Sequence, residues 1–213
     1  MIKISPSILS SDFGNLERDI KIVQEGGAEY IHIDVMDGVF VPNMSIGPCV
    51  QKSIRPKTDI VFDTHLMIID PIRYVEDFYK TGSDIITIHF EACENVEETL
   101  DKIRSFGIKA GLSIKPKTPV SAIKHLEGKF DMLLIMSVEP GFGGQSFMPE
   151  ALDKIAEARK LWPELDIEVD GGINENNINS VVKAGANILV AGSAVFKGDI
   201  KESIATLRRN AEM

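Results

Sequence analysis

The sequence predicts an α/β fold, a single-domain (β/α)₈ (TIM) barrel built on a parallel eight-stranded sheet. Three observations predict it. Short β-branched runs recur eight times along 213 residues, amphipathic stretches with helix punctuation separate them, and polar residues collect at the C-terminal end of nearly every run. Regular β-α alternation marks a parallel sheet covered by helices. Eight units fit a closed barrel near the short end of its usual ~200 to 400 residues. An open doubly wound sheet is the alternative, but it normally has fewer strands and one glycine-rich crossover. No long linker or low-complexity segment interrupts the pattern, so one domain is expected over 1–213.

Strands are expected at 3–8, 30–34, 59–66, 85–90, 109–114, 132–136, 166–170 and 188–190. After the first, Ser11 or Asp12 is placed to cap a helix with the apolar stripe Phe13, Leu16, Ile20 and Val23, stopped by Gly26-Gly27. The second run, Tyr30-Ile31-His32-Ile33-Asp34-Val35, alternates with period two, so His32 and Asp34 share a face. Asn43, in Val41-Pro42-Asn43, is placed to order the long loop that follows. After the third strand, Asp70-Pro71 reads as an N-cap with proline at the first helical position, and Ile72, Val75, Phe78 and Tyr79 as the inward face. Val96, Leu100 and Ile103 mark the next helix, ending at Gly107. Thr118-Pro119 opens another, Pro149 another, and Ile178, Val181 and Val182 lead to a stop at Gly185.

Composition excludes several classes of function. The chain is 44% hydrophobic with a mean hydropathy near zero, as in an ordinary soluble domain. With no long apolar run and no cationic segment leading into one, neither a membrane span nor a secretory signal is expected. Cys49 and Cys93 match no metal or redox spacing, which suits a reducing, cytoplasmic location. A net charge of −9 without a basic stripe argues against nucleic acid. An anionic ligand would therefore be held by local dipoles against the global field. The outer faces of the helices leave room for contacts between copies, and a homo-oligomer is expected.

In a barrel the carboxyl ends of all strands share one face, where active sites are built. His32, Asp34, His65 and Asp170 would meet there as a four-ligand N/O site of the kind that holds a divalent transition metal. Taken singly, each histidine could instead be a hydrogen-bonded residue of the mouth, and each aspartate a helix cap. Pro140-Gly141-Phe142-Gly143-Gly144-Gln145, Gly171-Gly172 and Gly192-Ser193 follow the last three strands. Glycines there let backbone N–H groups cradle a phosphate, though each pair alone could simply make a tight turn. No Lys or Arg lies in 141–145, so amides would meet the charge. Met36, Met67 and Met136 fall at strand ends; singly they read as core filler, together as a polarizable lining that keeps water out. Asp12 reads as a cap and Asp37 as a turn residue. Glu168, one layer below Asp170, and His89 read as supports for ligands, and His125 as a surface residue. Asp63, Glu91 and Glu139 receive no role.

These motifs carry a resemblance. Ser5-Pro6-Ser7-Ile8-Leu9, His32-Ile33-Asp34-Val35-Met36-Asp37-Gly38-Val39-Phe40-Val41-Pro42-Asn43, Asp63-Thr64-His65-Leu66-Met67, 140–147 and Val169-Asp170-Gly171-Gly172-Ile173 closely resemble the ribulose-phosphate 3-epimerase family. The resemblance runs the full length and implies a (β/α)₈ barrel with one divalent ion, usually zinc, with iron, manganese or cobalt as alternatives. It implies interconversion of D-ribulose 5-phosphate and D-xylulose 5-phosphate. His32, Asp34, His65 and Asp170 would be ligands, and Asp34 and Asp170 the proton-transfer pair. Ser7, His65, Gly141, Phe142, Gly143, Gly144, Asp170, Gly171, Gly172, Gly192 and Ser193 would contact the sugar phosphate. One departure is Lys115 before Pro116, where many relatives carry Asn. Rival readings are a 3-epimerase of another ketose phosphate, such as D-allulose 6-phosphate, and a non-catalytic sugar-phosphate-binding barrel.

Overall fold

The computed structural model describes residues 1–213. Its strands are β1 (Lys3–Pro6), β2 (Tyr30–Met36), β3 (Val61–Met67), β4 (Ile85–His89), β5 (Lys109–Ile114), β6 (Met132–Met136), β7 (Asp166–Asp170) and β8 (Ile188–Ala191). All pairings are parallel, in the order β1-β8-β7-β6-β5-β4-β3-β2. One parallel bridge, Ser7 to His32, joins the two ends of that order just beyond β1. The sheet is therefore a nearly closed barrel rather than an open doubly wound sheet. Every expected strand is present, with each end within two residues of its expected place.

The helices are α1 (Leu16–Glu25), α2 (Pro48–Ile54), α3 (Val75–Lys80), α4 (Val96–Ser105), α5 (Ala151–Leu161), α6 (Ile178–Ala184), α7 (Ser193–Phe196) and α8 (Ile200–Ala211). Asp12, not Ser11, caps the entry to the first: its carboxylate accepts from the Gly14 N–H at 2.9 Å, opening a short 3₁₀ turn before α1. Leu16, Ile20 and Val23 are buried, but Phe13 lies on that 3₁₀ turn and is exposed, outside the expected stripe.

Two further expectations are corrected near Asp70. It makes no side-chain cap; its backbone is left-handed, at φ 50°, and its N–H is committed to the Ala92 carbonyl at 3.0 Å. A 3₁₀ turn over Pro71–Arg73 then advances the chain by about 120° per residue instead of 100°. The helical phase shifts accordingly. Val75 and Phe78 face the core, Tyr79 faces outward, and Ile72 is only half-buried. After β5 the connection is a seven-residue 3₁₀ helix, Val120–Leu126, rather than an α-helix. Its buried residues Val120, Ile123 and Leu126 recur every three positions, the 3₁₀ period.

A cluster of 44 buried residues fills the space between sheet and helices. It includes the odd-numbered β2 residues Ile31, Ile33 and Val35, while Tyr30, His32, Asp34 and Met36 point into the barrel. The barrel interior is layered. Tyr30, Ile85, Met132 and Ile188 form an apolar floor. Above it lie the buried polar side chains of Ser5, His32, Asp63, Thr87 and Glu168, and above those the mouth. A polar middle layer is costly unless its groups satisfy one another. No helix is long and apolar enough to cross a membrane.

Candidate active site

The strand ends bring four side chains to one point. His32 Nε2 lies 3.2 Å from His65 Nδ1 and 3.4 Å from Asp34 Oδ1. His65 Nδ1 is 3.3 Å from the same Asp34 oxygen. Asp170 Oδ2 approaches from β7, 4.0 Å from His32 Nε2 and 3.9 Å from His65 Nδ1. A tetrahedral ion with bonds of about 2.0–2.1 Å holds its ligands roughly 3.3 Å apart. The spacing and the two-imidazole, two-carboxylate donor set therefore fit a divalent ion, with Asp170 needing only a small inward shift.

The register of β2 and β3 explains what stands behind this cluster. His32 is paired with Asp63, and Asp34 with His65. Asp63 Oδ2 accepts from His32 Nδ1 at 2.7 Å, and its other oxygen accepts from the Thr87 hydroxyl at 3.3 Å. Glu168 Oε1 comes within 3.5 Å of His32 Nδ1, as expected of a residue one layer deeper. His89 Nε2 lies 2.9 Å from His65 Nε2. Asp37 is a turn residue, accepting from the N–H groups of Val39, Phe40 and Ile69. His125 and Glu139 are exposed.

Above the cluster opens a cleft. Asp34 and Asp170 line its floor, with Met36, Met67 and Met136, each the last residue of its strand. Its far wall is made by Gly141, Phe142, Gly143, Gly144, Gly171, Gly172, Gly192 and Ser193. Ser7 also lines it and donates its hydroxyl to Asp34 Oδ2 at 2.5 Å. His32 and His65 lie beneath the cleft, fully buried. No Lys or Arg lines it. The N–H groups of Gly143, Gly144, Gly171, Gly172 and Gly192 have no acceptor within the protein, the state expected of donors reserved for an anion. Glycine is required at the turn after β7. A Cβ on Gly171 would sit 2.6 Å from Val138, and one on Gly172 2.8 Å from the Gln145 carbonyl, both at positive φ.

The sequence reading gave no site role to Leu9, Ser10, Val138, Ile173 or Val190, which also line the cleft. Leu9 and Ile173 close motifs that carry the resemblance, the other three carry none, and only the fold gathers the five. Asp63 did have a signal, since it stands two residues before His65 as His32 stands before Asp34. Asn43 orders its loop, accepting from the Met44 N–H, and ties it to the glycine loop by donating to the Gly141 carbonyl at 2.7 Å. Lys115 stays outside the cleft, its ammonium 3.8 Å from the Phe40 ring centroid.

The cluster polarises its members. Burial opposes a charge on His32, but Asp34, Asp63 and Glu168 override it and raise its pKa well above 6.5. Burial likewise opposes ionisation of Asp34, yet His32 and His65 hold its carboxyl well below the usual range. Asp170 goes the other way: burial, then the Asp34 charge, push it up to about 6. Glu168 is raised well above its ordinary value, by burial and then by Asp63. Two carboxyl groups facing one cleft with opposed proton affinities are the arrangement expected of an acid and a base.

The ribulose-phosphate 3 epimerase family matches residues 3–196. The ribulose-phosphate 3-epimerase of Bacillus subtilis is 49% identical over 98% of this chain and 99% of its own length. That of Synechocystis is 51% identical over 98% and 94%, and that of Escherichia coli 46% over 96% and 94%. Among solved structures, 3-keto-L-gulonate-6-phosphate decarboxylase from Vibrio cholerae superposes with a TM-score of 0.75 at 13% identity, over 100% of this chain and 98% of its own. Thiamine phosphate pyrophosphorylase from Pyrococcus furiosus does so with 0.69 at 18%, over 99% and 96%. At those identities the structures share the barrel alone, whereas the match along the sequence shows that this chain belongs to the ribulose-phosphate 3-epimerase family.

Proposed function

We propose that this chain interconverts D-ribulose 5-phosphate and D-xylulose 5-phosphate, residues 1–213 acting as one catalytic domain. The observation that carries the reading is the pair Asp34 and Asp170, which face one cleft with proton affinities pushed in opposite directions. Inverting a carbon beside a ketone needs a proton removed from one face and another delivered to the other. In one direction Asp34, ionised, takes the proton, and Asp170, protonated, supplies its replacement; in reverse they exchange roles. The Ser7 hydroxyl, donated to Asp34 Oδ2, orients that carboxylate.

A divalent ion on His32, Asp34, His65 and Asp170 would supply Lewis-acid stabilisation of the negative charge that develops on the substrate oxygens. The donor set suits Zn²⁺, and Fe²⁺, Mn²⁺ or Co²⁺ as well. The unpaired glycine N–H groups hold the phosphate, and binding energy gained there positions the reacting carbon. Met36, Met67 and Met136 keep water from the carbanionic face. Both cysteines are free, which fits a cytoplasmic setting.

The test is uptake of solvent deuterium at carbon 3 of ribulose 5-phosphate, with and without chelator, beside D-allulose 6-phosphate. Uptake that chelation abolishes and that favours the pentose supports the reading. Binding without exchange would leave a sugar-phosphate-binding barrel, and faster exchange of the hexose would reassign the substrate.

A further inference from the structure

We propose that Glu91 is a positioning residue that fixes, through His89, which ring nitrogen of His65 is presented to the ligand cluster. The proposal rests on the reading that His65 binds the ion through Nδ1. Glu91 stands on the 3₁₀ turn that follows β4, two residues beyond the fully buried His89. Its Oε1 accepts from the Lys115 backbone N–H at 2.8 Å and from the Thr118 hydroxyl, and its Oε2 lies 3.3 Å from His89 Nδ1. The His89 ring is confined between two others. It stacks on His65 with centroids 4.9 Å apart and has Phe40 at 4.9 Å. It has no exposed surface from which to recruit water.

The chemistry of the chain leaves one arrangement. A carboxylate only accepts, so His89 Nδ1 must carry the hydrogen. A neutral imidazole has one N–H, which leaves His89 Nε2 as a bare acceptor. His65 Nε2, 2.9 Å away, must then be the donor, because two bare nitrogens or two N–H groups cannot share that distance. His65 Nδ1 is left with its lone pair, facing His32 Nε2 and Asp34 Oδ1. The His89 ring, shut between His65 and Phe40 with no exposed surface, is the neutral imidazole that burial favours, whereas Glu91 already takes two donors on Oε1 and is the acceptor. On the other side of the cluster Asp63 does the same for His32 with one bond instead of two. Supporting partners of this kind orient a ligand and govern affinity for the ion. The departure at Lys115 falls on this path: its N–H braces Glu91, and its ammonium lies over Phe40, the ring beside His89.

The test combines ¹⁵N spectroscopy of labelled histidines with zinc affinity. Only four histidines occur in the chain, and exposed His125 serves as the internal standard. Hydrogen on His89 Nδ1 and His65 Nε2 is expected in parent protein before and after zinc; the opposite tautomer of His89 overturns the proposal. Zinc that leaves the His65 nitrogens unmoved sinks the ligation reading instead, while the tautomer in the zinc-free spectrum still decides the role of Glu91. Glu91→Ala is expected to weaken zinc binding about 10-fold or more. Glu91→Gln, whose amide oxygen can still accept from His89, binds more tightly than Glu91→Ala. A glutamine no better than alanine, or an alanine as tight as the parent, overturns the proposal. Should Glu91→Ala not fold, the parent spectrum alone decides it.

Discussion

Asp34 and Asp170 differ in their neighbours rather than in their own chemistry. Asp34 faces two imidazoles and a serine hydroxyl, whereas Asp170 faces Asp34 across the cluster and keeps 17% of its side chain open to the cleft. Replacing either by Asn removes a proton carrier while keeping its shape, so kcat is expected to fall by about 10² to 10⁴-fold. Near-parent turnover in either variant, with the melting temperature unchanged, removes that residue from the proton path. Asp63→Asn replaces the carboxylate behind His32 and is expected to cost about 10 to 100-fold in zinc affinity, read by competition with a chelator. The gathered residues were legible because strand alternation assigns a face from sequence alone. The partnership of Asp63 with His32 was not, because it depends on which residue of β3 lies opposite which residue of β2.

Each strand was legible from its β-branched run, and the helices less evenly. α2 buries only Gln51 and Ile54, so no apolar stripe announces it. α8 does carry a signature, Asp199 before Ile200 with Ile204, Leu207 and Ala211 recurring, but it lies beyond the last strand, where the repeating unit has already closed. The 3₁₀ segments at Pro71–Arg73 and Val120–Leu126 share apolar spacings with α-helices, and short ones cannot be told apart by pattern. Packing between neighbouring strands makes a prediction of its own. A Cβ on Gly111 of β5 would lie 2.9 Å from Thr87 Cβ on β4, inside the barrel. Gly111→Ala is therefore expected to destabilise the fold by about 1–3 kcal/mol, measured by denaturant melts. An unchanged midpoint would mean that the barrel wall is softer than its packing implies.

At the scale of the whole molecule, binding of the ion, protonation and stability are linked. His32 has a folded pKa raised above its unfolded value, so in metal-free protein its contribution is full below about 6.5 and fades as pH rises through the folded value. Asp170, raised from 3.8 to about 6, loses stability in the same direction between those two values. An ion needs His32 neutral and Asp170 ionised, so its affinity climbs as pH rises. Zinc is expected to raise the melting temperature more at about pH 8 than at about pH 5, and to release protons on binding, measurable by calorimetry in two buffers of different ionisation heat. An equal zinc effect at both values would break the link between the cluster and the ion.

The bridge between Ser7 and His32 has a consequence for how the molecule is made. β1 leaves the ribosome first, but the only strand that ladders with it is β8, which leaves last. Until 188–191 have been synthesised, β1 has no ladder partner and only the single bridge to His32 holds Ser7 beside Asp34, so the growing polypeptide carries its histidines and aspartates without a finished cage. Chains cut short before that point should capture zinc poorly, and a circular permutant that joins the old termini and opens elsewhere should assemble its cage earlier in translation.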